Sequence, residues 1–422
     1  VVQAASLGIA VTKAPSAPKR FQIEKKDRYV FGNRNVIVLV LDTFQGDVFN
    51  ELAAKDPRYA SLFDGFTYMR DAAGGHVSTF PSVTLFLTGK IFSNEMPIRK
   101  HIDAAFLSPR SLPLRLKEEG FTVHLFPNRR SEVNCDPRVA SNIVEKKPAS
   151  KDVRADVTRL YVVGALRYFP HVIQRALFDG REELGITGKF LESKVPGQSS
   201  WDDLVFSKEV VEKSRVEPGA PMFKYLHLWG CHRPWILTRD LTSREERSTR
   251  EGYKDHAMGA LRVTEIFLER LKKLGIYDSS MIFVMGDHGA HMPVDVPKEF
   301  GGNTPPVAGG VYPNLKGAGV PVILVKPFGA RGPMKISDAP VSLMDVPVTI
   351  AAALKLDGDF PGIPMFENHA PKNRKRPFYA YRWDLAMLDQ DYLPGMTRWE
   401  ISGFSWLDSS WTQLPFDRSK SE

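Results

Sequence analysis

The sequence predicts an α/β protein with a doubly wound, mostly parallel sheet flanked by helices, and a small antiparallel sheet at the C-terminal end. Residues 35–41 and 281–286 are nearly continuous apolar runs, which parallel strands buried on both faces produce. Helical patterns alternate with further strand-like runs between them, as a doubly wound fold requires. Aromatic segments after residue 357 alternate as antiparallel strands do, and they predict the second sheet.

The chain of 422 residues divides into predicted parts by composition. Residues 1–34 are rich in Pro, Lys and Arg and predict a juxtamembrane linker. Residues 35–357 form the main α/β domain, with an insertion at 127–200, and residues 358–422 form a C-terminal antiparallel subdomain. The chain begins with Val, so we expect a fragment or a processed form. Its uncharged residues 1–11 are interpreted either as the end of a membrane helix or as a disordered end.

The composition restricts the classes of partner. The formal net charge is +8, and basic residues dominate the first 34 positions. A basic segment beside a membrane helix suits an anionic lipid surface. Nucleic acid is not expected, because no basic–aromatic repeat occurs. Two cysteines, Cys135 and Cys231, exclude a disulfide framework and a cysteine zinc site, and they leave a single bridge open. The sequence does not indicate which oligomeric state the protein adopts. It contains no complete transmembrane segment.

Both apolar runs end in residues that could bind a ligand. The first ends at Asp42, and the second is followed by Asp287 and His288. Open α/β sheets bind ligands outside the carboxyl ends of their strands. The sequence therefore predicts that these three side chains meet at one edge of the sheet.

Residues 76–89 contain a third candidate, Thr79. Pro81 suits a first helical turn and Gly89 a helix end, so the pattern predicts one short helix that begins at or just after Thr79. The hydroxyl then lies where free N–H groups favour an anion, and a metal or base could make it a nucleophile. The alternative is a plain helix N-cap.

Residues 222–235 end another predicted strand and continue into a loop at the same edge. His227 ends the strand and is expected to pack in the sheet, to bind substrate or to be a ligand. His232 and Arg233 lie in the loop. Arg233 could pair with a phosphate oxygen, and surface positions are the alternative for both residues. His291, three residues after His288, is a further candidate for substrate contact.

Together these stretches resemble the alkaline phosphatase superfamily. Thr-Phe-Pro-Ser at 79–82, with Leu-Thr-Gly at 87–89, resembles the nucleophile segment of sulfatases and that of nucleotide pyrophosphatase/phosphodiesterases. Residues 41–45 look like the first metal strand of lipoteichoic acid synthase, with Asp in place of Glu. Asp-His-Gly at 287–289 matches the metal pair of the phosphotransferases. The resemblance covers roughly residues 30–357, and the ordered set is more specific than any one motif.

The resemblance implies an alkaline phosphatase-like catalytic domain with one divalent metal. Zn²⁺ or Mn²⁺ suits this ligand set and Mg²⁺ stays open. The metal ligands that the resemblance implies are Asp42, Thr79, Asp287 and His288. Thr79 would also be the nucleophile. His232 would be an acid that protonates the leaving alkoxide, or a substrate contact.

Sulfatase activity fits this pattern poorly, because Thr79 cannot become formylglycine and Val83 replaces an arginine of sulfatases. The resemblance to lipoteichoic acid synthase and to phosphoethanolamine transferases instead implies a membrane-anchored, extracytoplasmic transferase, periplasmic or on the outer face. It would move a phosphoglycerol or phosphoethanolamine group from an anionic phospholipid donor to a glycan or lipid acceptor. The alternatives are a phosphodiesterase or phosphonate hydrolase, and an inactive lipid-binding regulator with the same fold.

Overall fold

The computed structural model describes residues 21–146, 200–302, 313–366, 370–381, 392–393 and 395–416. Residues 23–143 and 197–422 form one compact unit, and residues 1–22 and 144–196 form another. Because the described ranges begin at residue 21 and leave out residues 147–199, most of the predicted linker and most of the predicted insertion lie outside them.

Helices and strands alternate along the described chain. The α-helices are α1 (Gly46–Lys55), α2 (Arg58–Leu62), α3 (Thr79–Thr88), α4 (Ile98–Phe106), α5 (Leu112–Glu118), α6 (Ser200–Lys213), α7 (Arg250–Lys273), α8 (Pro313–Gly319) and α9 (Asp345–Leu354). The strands are β1 (Phe21–Ile23), β2 (Val30–Phe31), β3 (Asn35–Leu41), β4 (Thr67–Met69), β5 (Ala72–Ala73), β6 (Thr122–Phe126), β7 (Ile143–Glu145), β8 (Arg215–Val216), β9 (Met222–Leu228), β10 (Ser280–Met285), β11 (Ile323–Lys326), β12 (Lys335–Ser337), β13 (Val341–Ser342), β14 (Lys375–Ala380), β15 (Thr397–Ser402) and β16 (Trp411–Leu414). None of the described helices combines the length and the apolar character that crossing a bilayer needs.

A seven-stranded sheet lies at the centre, in the order β12-β4-β11-β10-β3-β9-β6. Strands β10, β3, β9 and β6 run parallel to one another, whereas β11 is antiparallel to both of its neighbours. Every residue of β3, β9 and β10 is buried. Strands buried on both faces need continuous apolar runs, and these runs predicted the class of fold. The predicted mostly parallel sheet with flanking helices is confirmed.

The register of the central strands brings distant residues to one edge. Val40 of β3 pairs with Met285 of β10, so Asp42 and Asp287 each lie two residues beyond the same pair. Val40 also pairs with His227 on the other side, in β9. These side chains therefore gather at the carboxyl edge of the sheet.

Helix α3 is enclosed by the protein. Every residue after Thr79 is buried, and a helix that is apolar on nearly all sides suits this position. The helix ends at Gly89, whose φ of 70° is left-handed. An added Cβ there would lie 2.4 Å from the Pro361 side chain. The predicted helix and its glycine stop are confirmed.

The predicted antiparallel sheet is formed by β14, β15 and β16. Arg376 of β14 is fully buried and donates to the Asp71 carboxylate at 3.0 Å and to the Asp71 carbonyl at 2.8 Å. Arg374, just before β14, makes bonds of 2.7 and 2.6 Å to Asp345 at the start of α9. Buried charges are tolerated when they are paired, so these arginines fix where the small sheet attaches.

Replacing Arg376 tests this attachment. Arg376→Met should destabilise the protein by roughly 3–5 kcal/mol, because the Asp71 carboxylate would stay buried without its cation. Arg138→Met is the matched control, since the Arg138–Asp136 pair lies at the surface and contributes little. Urea unfolding followed by circular dichroism measures both variants. Equal losses of stability would contradict the role of Arg376 as an anchor.

Candidate active site

Two buried carboxylates form the centre of the site. One oxygen of Asp42 lies within 4.8 Å of one oxygen of Asp287. Burial raises the pKa of Asp42 well above its usual value, and repulsion from Asp287 adds to this. Burial also acts to raise the pKa of Asp287, but His288, His227 and a hydrogen bond from the Thr43 N–H outweigh it and lower that pKa. Two such charges are stable together when a cation lies beside them.

His288 presents one ring nitrogen to both carboxylates. Its Nε2 lies 3.8 Å from Asp42 Oδ1 and 3.6 Å from Asp287 Oδ2. Its Nδ1 lies 2.9 Å from the carbonyl oxygen of Gly289, which can only accept a hydrogen bond. Nδ1 therefore carries the proton, and the lone pair of Nε2 faces the carboxylates. This is the tautomer that metal-ligating histidines adopt.

Thr79 is the first residue of α3 and is half-buried. Its hydroxyl interacts with the Asp287 carboxylate and helps to lower the pKa of Asp287. Ser78, not Thr79, occupies the N-cap position, and its hydroxyl bonds to the Tyr381 hydroxyl at 2.9 Å instead of to the helix. The interpretation of Thr79 as a plain N-cap is therefore wrong. The first N–H groups of α3 have no side-chain cap and can bind an anion.

A second histidine, His227 of β9, approaches the other oxygen of Asp42. Its Nε2 lies 3.7 Å from Asp42 Oδ2, and its Nδ1 lies 3.1 Å from Glu132 Oε2 and 2.8 Å from the Tyr225 hydroxyl. Burial acts to lower the pKa of His227, but Glu132 and Asp42 outweigh it and raise that pKa to about 9. Glu132 lies within 127–200, so the predicted insertion contributes a residue to the centre.

These residues fit a divalent cation. Within the described ranges, Asp42 Oδ1, Asp287 Oδ2 and His227 Nε2 are buried and have no hydrogen-bond partner, a condition that folded proteins rarely tolerate. The measured separations of 3.6–3.8 Å match the roughly 3–4 Å between atoms that each lie about 2 Å from one ion. Of the other predicted ligands, His288 lies beside both carboxylates and the Thr79 hydroxyl interacts with Asp287. Carboxylate, imidazole and hydroxyl donors suit Zn²⁺ or Mn²⁺.

His232 reaches the site from the loop that follows β9. Its Nδ1 lies 2.7 Å from the Arg233 carbonyl oxygen, so Nδ1 carries the proton. Burial lowers the pKa of His232 and keeps the ring neutral at neutral pH. Its Nε2 is therefore a proton acceptor in the resting protein.

Asp203 of α6 holds the His232 loop in place. It accepts hydrogen bonds from the Trp229 N–H at 2.9 Å and the Gly230 N–H at 2.7 Å. Gly230 has a φ of 61°, and an added Cβ would lie 2.5 Å from the Asp42 nitrogen. The Cys231 N–H donates to the Asp42 carbonyl at 2.9 Å, so the loop and the end of β3 are held together. Cys231 is buried and Cys135 is partly buried. Both are free, and they do not form the bridge that the sequence left open.

A cavity of about 590 Å³ opens onto the centre. Of the predicted substrate-binding residues, His232, Arg233 and His291 line it, whereas His227 is not part of its wall. The Arg233 guanidinium lies 4.3 Å from the centre of the Trp235 ring. Burial lowers the pKa of His291 to about 4, and its Nε2 lies 2.9 Å from the Val77 carbonyl oxygen. The other lining residues include Thr43, Asn128, Arg129, Trp229, Trp235 and Tyr381.

The family model described as Sulfatase matches residues 34–356, which is most of the sequence. The chain belongs to the sulfatase family. This confirms the sulfatase-like resemblance that the motifs indicated. No curated protein matches the sequence significantly.

Several solved structures are similar to this sulfatase-family chain. Ps i-CgsB, in complex with k-i-k-neocarrahexaose, is 18% identical with a TM-score of 0.51, over 92% of this chain and 87% of that chain. The phosphonate monoester hydrolase of Agrobacterium radiobacter is 14% identical with a TM-score of 0.48, over 92% of this chain and 90% of that chain. The lipoteichoic acid synthase LtaP from Listeria monocytogenes is 13% identical with a TM-score of 0.47, over 95% of this chain and 91% of that chain. At such identities the likeness concerns the fold alone.

Sequence reasoning missed three residues that support the site, namely Glu132, Asp203 and Tyr381. Glu132 lies in a polar stretch without periodicity, and Tyr381 follows a strand of the small sheet. Asp203 has the pattern of an ordinary acid in a first helical turn. None of the three carries a local signal, because each acts on a partner that is distant along the chain.

Asp203→Asn should change how stability depends on pH. Burial raises the pKa of Asp203 to about 6, above the roughly 3.9 of an unfolded chain. A carboxyl group with a raised pKa binds its proton more tightly in the folded state, so its contribution to stability is lost as pH rises through about 6. The free energy of unfolding should therefore fall, relative to Asp203→Asn, by about 2 kcal/mol between pH 4 and pH 7. Urea unfolding of the metal-free proteins measures this, and parallel pH curves would contradict it.

Proposed function

We propose that this sulfatase-family chain is a metal-dependent phosphotransferase with Thr79 as its nucleophile. The observation that supports this is the Thr79 hydroxyl beside Asp287, at the start of a buried helix and within a cluster of unpartnered carboxylate and imidazole atoms. A threonine cannot become the formylglycine of sulfatases. A hydroxyl at an anion-binding helix N-terminus suits attack on a phosphoryl group.

The transfer proceeds in two half-reactions on this proposal. A divalent cation between Asp42, Asp287 and His288 would lower the pKa of the Thr79 hydroxyl and neutralise charge on the phosphoryl group. Thr79 Oγ gives up its proton and forms a bond to phosphorus, while the bond to the first alcohol breaks and that alcohol leaves with a proton. The free N–H groups of α3 bind the phosphoryl oxygens. The acceptor hydroxyl then attacks phosphorus and releases Thr79.

His232 suits the second half-reaction best. Because Nδ1 carries the proton and the ring stays neutral, Nε2 can take the proton of the acceptor hydroxyl as that hydroxyl attacks. The family resemblance implied either a substrate contact or the opposite role for His232, as the acid that protonates the leaving alkoxide. That role requires a ring that has first gained a proton.

We propose an anionic phospholipid as donor and a glycan or lipid of the cell envelope as acceptor. The transferred group is of the phosphoglycerol or phosphoethanolamine type, and the protein acts at the extracytoplasmic face of a membrane. The supporting observations are the basic first 34 residues and the two arginines of the cavity, Arg129 and Arg233. Guanidinium groups bind phosphodiester oxygens well, and Trp235 offers an apolar face beside Arg233.

Thr79→Ala tests the nucleophile. We expect no release of diacylglycerol from phosphatidylglycerol or phosphatidylethanolamine vesicles by this variant, because no covalent intermediate can form. Thr79→Ser should retain measurable turnover, since it keeps the hydroxyl. Mass spectrometry of the wild-type peptide that contains Thr79 should show the transferred group after mixing with donor. Full activity of Thr79→Ala, with circular dichroism confirming its fold, would overturn the assignment.

The same vesicle assay separates the alternatives. Release of the head-group phosphate into water, even with acceptor in excess, would indicate the phosphodiesterase or phosphonate hydrolase. A folded, metal-loaded protein that binds vesicles but never labels Thr79 would indicate the lipid-binding regulator.

His232→Gln tests the proposed proton acceptor. Loss of the base should slow the second half-reaction by about 10²–10⁴-fold and leave the first half-reaction faster than the second. The labelled Thr79 peptide should therefore accumulate in this variant. His101→Gln, a buried histidine that does not line the cavity, is the control. If label fails to accumulate and turnover falls more for donors with poor leaving groups, His232 acts as the acid instead.

A further inference from the structure

We infer that His227 is a direct ligand of the cation and that Glu132 orients it for this role. The inference rests on the proposed function, because it requires a cation at the Asp42–Asp287 centre. The family resemblance assigns the metal to Asp42, Thr79, Asp287 and His288, and His227 is not in that set.

The hydrogen bonds of His227 fix which ring nitrogen can bind a metal. Nδ1 lies 3.1 Å from Glu132 Oε2, and an ionised carboxylate only accepts hydrogen bonds. Nδ1 therefore donates, with the Tyr225 oxygen 2.8 Å away as a second neighbour. A cation that binds this ring takes the place of the proton on Nε2, so Nε2 is the atom that can coordinate it. That atom is buried and lacks a hydrogen-bond partner within the described part of the chain.

The position of Nε2 suits coordination and not a hydrogen bond. The 3.7 Å to Asp42 Oδ2 is too long for a hydrogen bond. It agrees with two atoms that are each bound to an ion between them. Nε2, one Asp42 oxygen and one Asp287 oxygen all lie within 4.8 Å of one another, so a single ion can contact all three.

Glu132 is held in place by its own contacts. Its Oε1 accepts a hydrogen bond from the Arg129 N–H at 2.9 Å, and its side chain is only 2% exposed. Its other oxygen is therefore directed at His227. A carboxylate that accepts from one nitrogen of a histidine while the other nitrogen binds metal is the usual support of a metal-ligating histidine.

His227 changes the preferred metal. With His227 and His288 the centre offers two imidazole nitrogens, together with the carboxylate and hydroxyl oxygens. Calcium and magnesium prefer sites built from oxygen, whereas Zn²⁺ accepts imidazole readily. The inference therefore predicts that affinity for Zn²⁺ depends on His227 much more strongly than affinity for Ca²⁺ does.

Metal titration of the purified apoprotein tests this without an activity assay. Competition titration should show that His227→Gln weakens Zn²⁺ binding at least about 100-fold, and that Glu132→Gln weakens it about 10–100-fold. The visible spectrum of the Co²⁺-substituted protein should also change in His227→Gln, because one nitrogen donor is lost. His101→Gln, a buried histidine outside the site, should match the wild type in both measurements.

The outcomes separate this inference from the proposed function. Wild-type Zn²⁺ affinity and an unchanged Co²⁺ spectrum in folded His227→Gln would overturn the inference and leave the proposed function standing. A wild-type protein that binds no divalent cation would overturn both. Should His227→Gln fail to fold, Glu132→Gln decides. It keeps the shape of the side chain but loses the charge that orients His227, and unchanged Zn²⁺ affinity in it would overturn the inference.

Discussion

The repulsion between the buried carboxylates of Asp42 and Asp287 is the constraint on which the rest of the site depends. Side by side and out of water, they destabilise the fold until positive charge reaches them. The register of β3 against β10 makes their approach unavoidable. The surrounding structure holds this arrangement instead of relaxing it. Thr43 keeps a φ of 60°, unfavourable for a β-branched residue, while its N–H donates to Asp287 and its carbonyl accepts from Tyr253.

Three parts of the site are positioned by residues further out, and each of these residues comes from a different part of the chain. Asp203 of α6 fixes the loop that carries His232, Glu132 fixes His227, and Tyr253 of α7 fixes the backbone after Asp42. A catalytic centre needs its groups held within fractions of an ångström, and side chains supported by rigid elements achieve this better than loops alone. Charged groups held before a substrate arrives also need little reorganisation during reaction.

The sequence predicted what depends on local pattern. The apolar runs gave β3 and β10, their last residues gave Asp42, Asp287 and His288, and the Pro and Gly signals gave helix α3. It could not predict Glu132 or Asp203, because the role of each comes from a distant partner. The partner of Glu132 lies 95 residues away along the chain, and that of Asp203 lies 26 residues away. His227 shows the limit most clearly. Its position at the end of β9 was evident, but the direction of its lone pair depends on Glu132, which has no sequence signal of its own.

The balance of charge connects the centre with the kind of substrate proposed for it. Three carboxylates, of Asp42, Asp287 and Glu132, lie in one buried region, and a divalent cation cancels two of the three negative charges. His232 and His291 add no positive charge at neutral pH, because burial lowers the pKa of each. Positive charge in the cavity wall therefore comes from Arg129 and Arg233. An anion that enters must be attracted there before it meets the carboxylates. A phosphodiester, with a single negative charge, faces less repulsion from the remaining carboxylate than a phosphomonoester dianion does, so the same charges that require a cation also favour the diester.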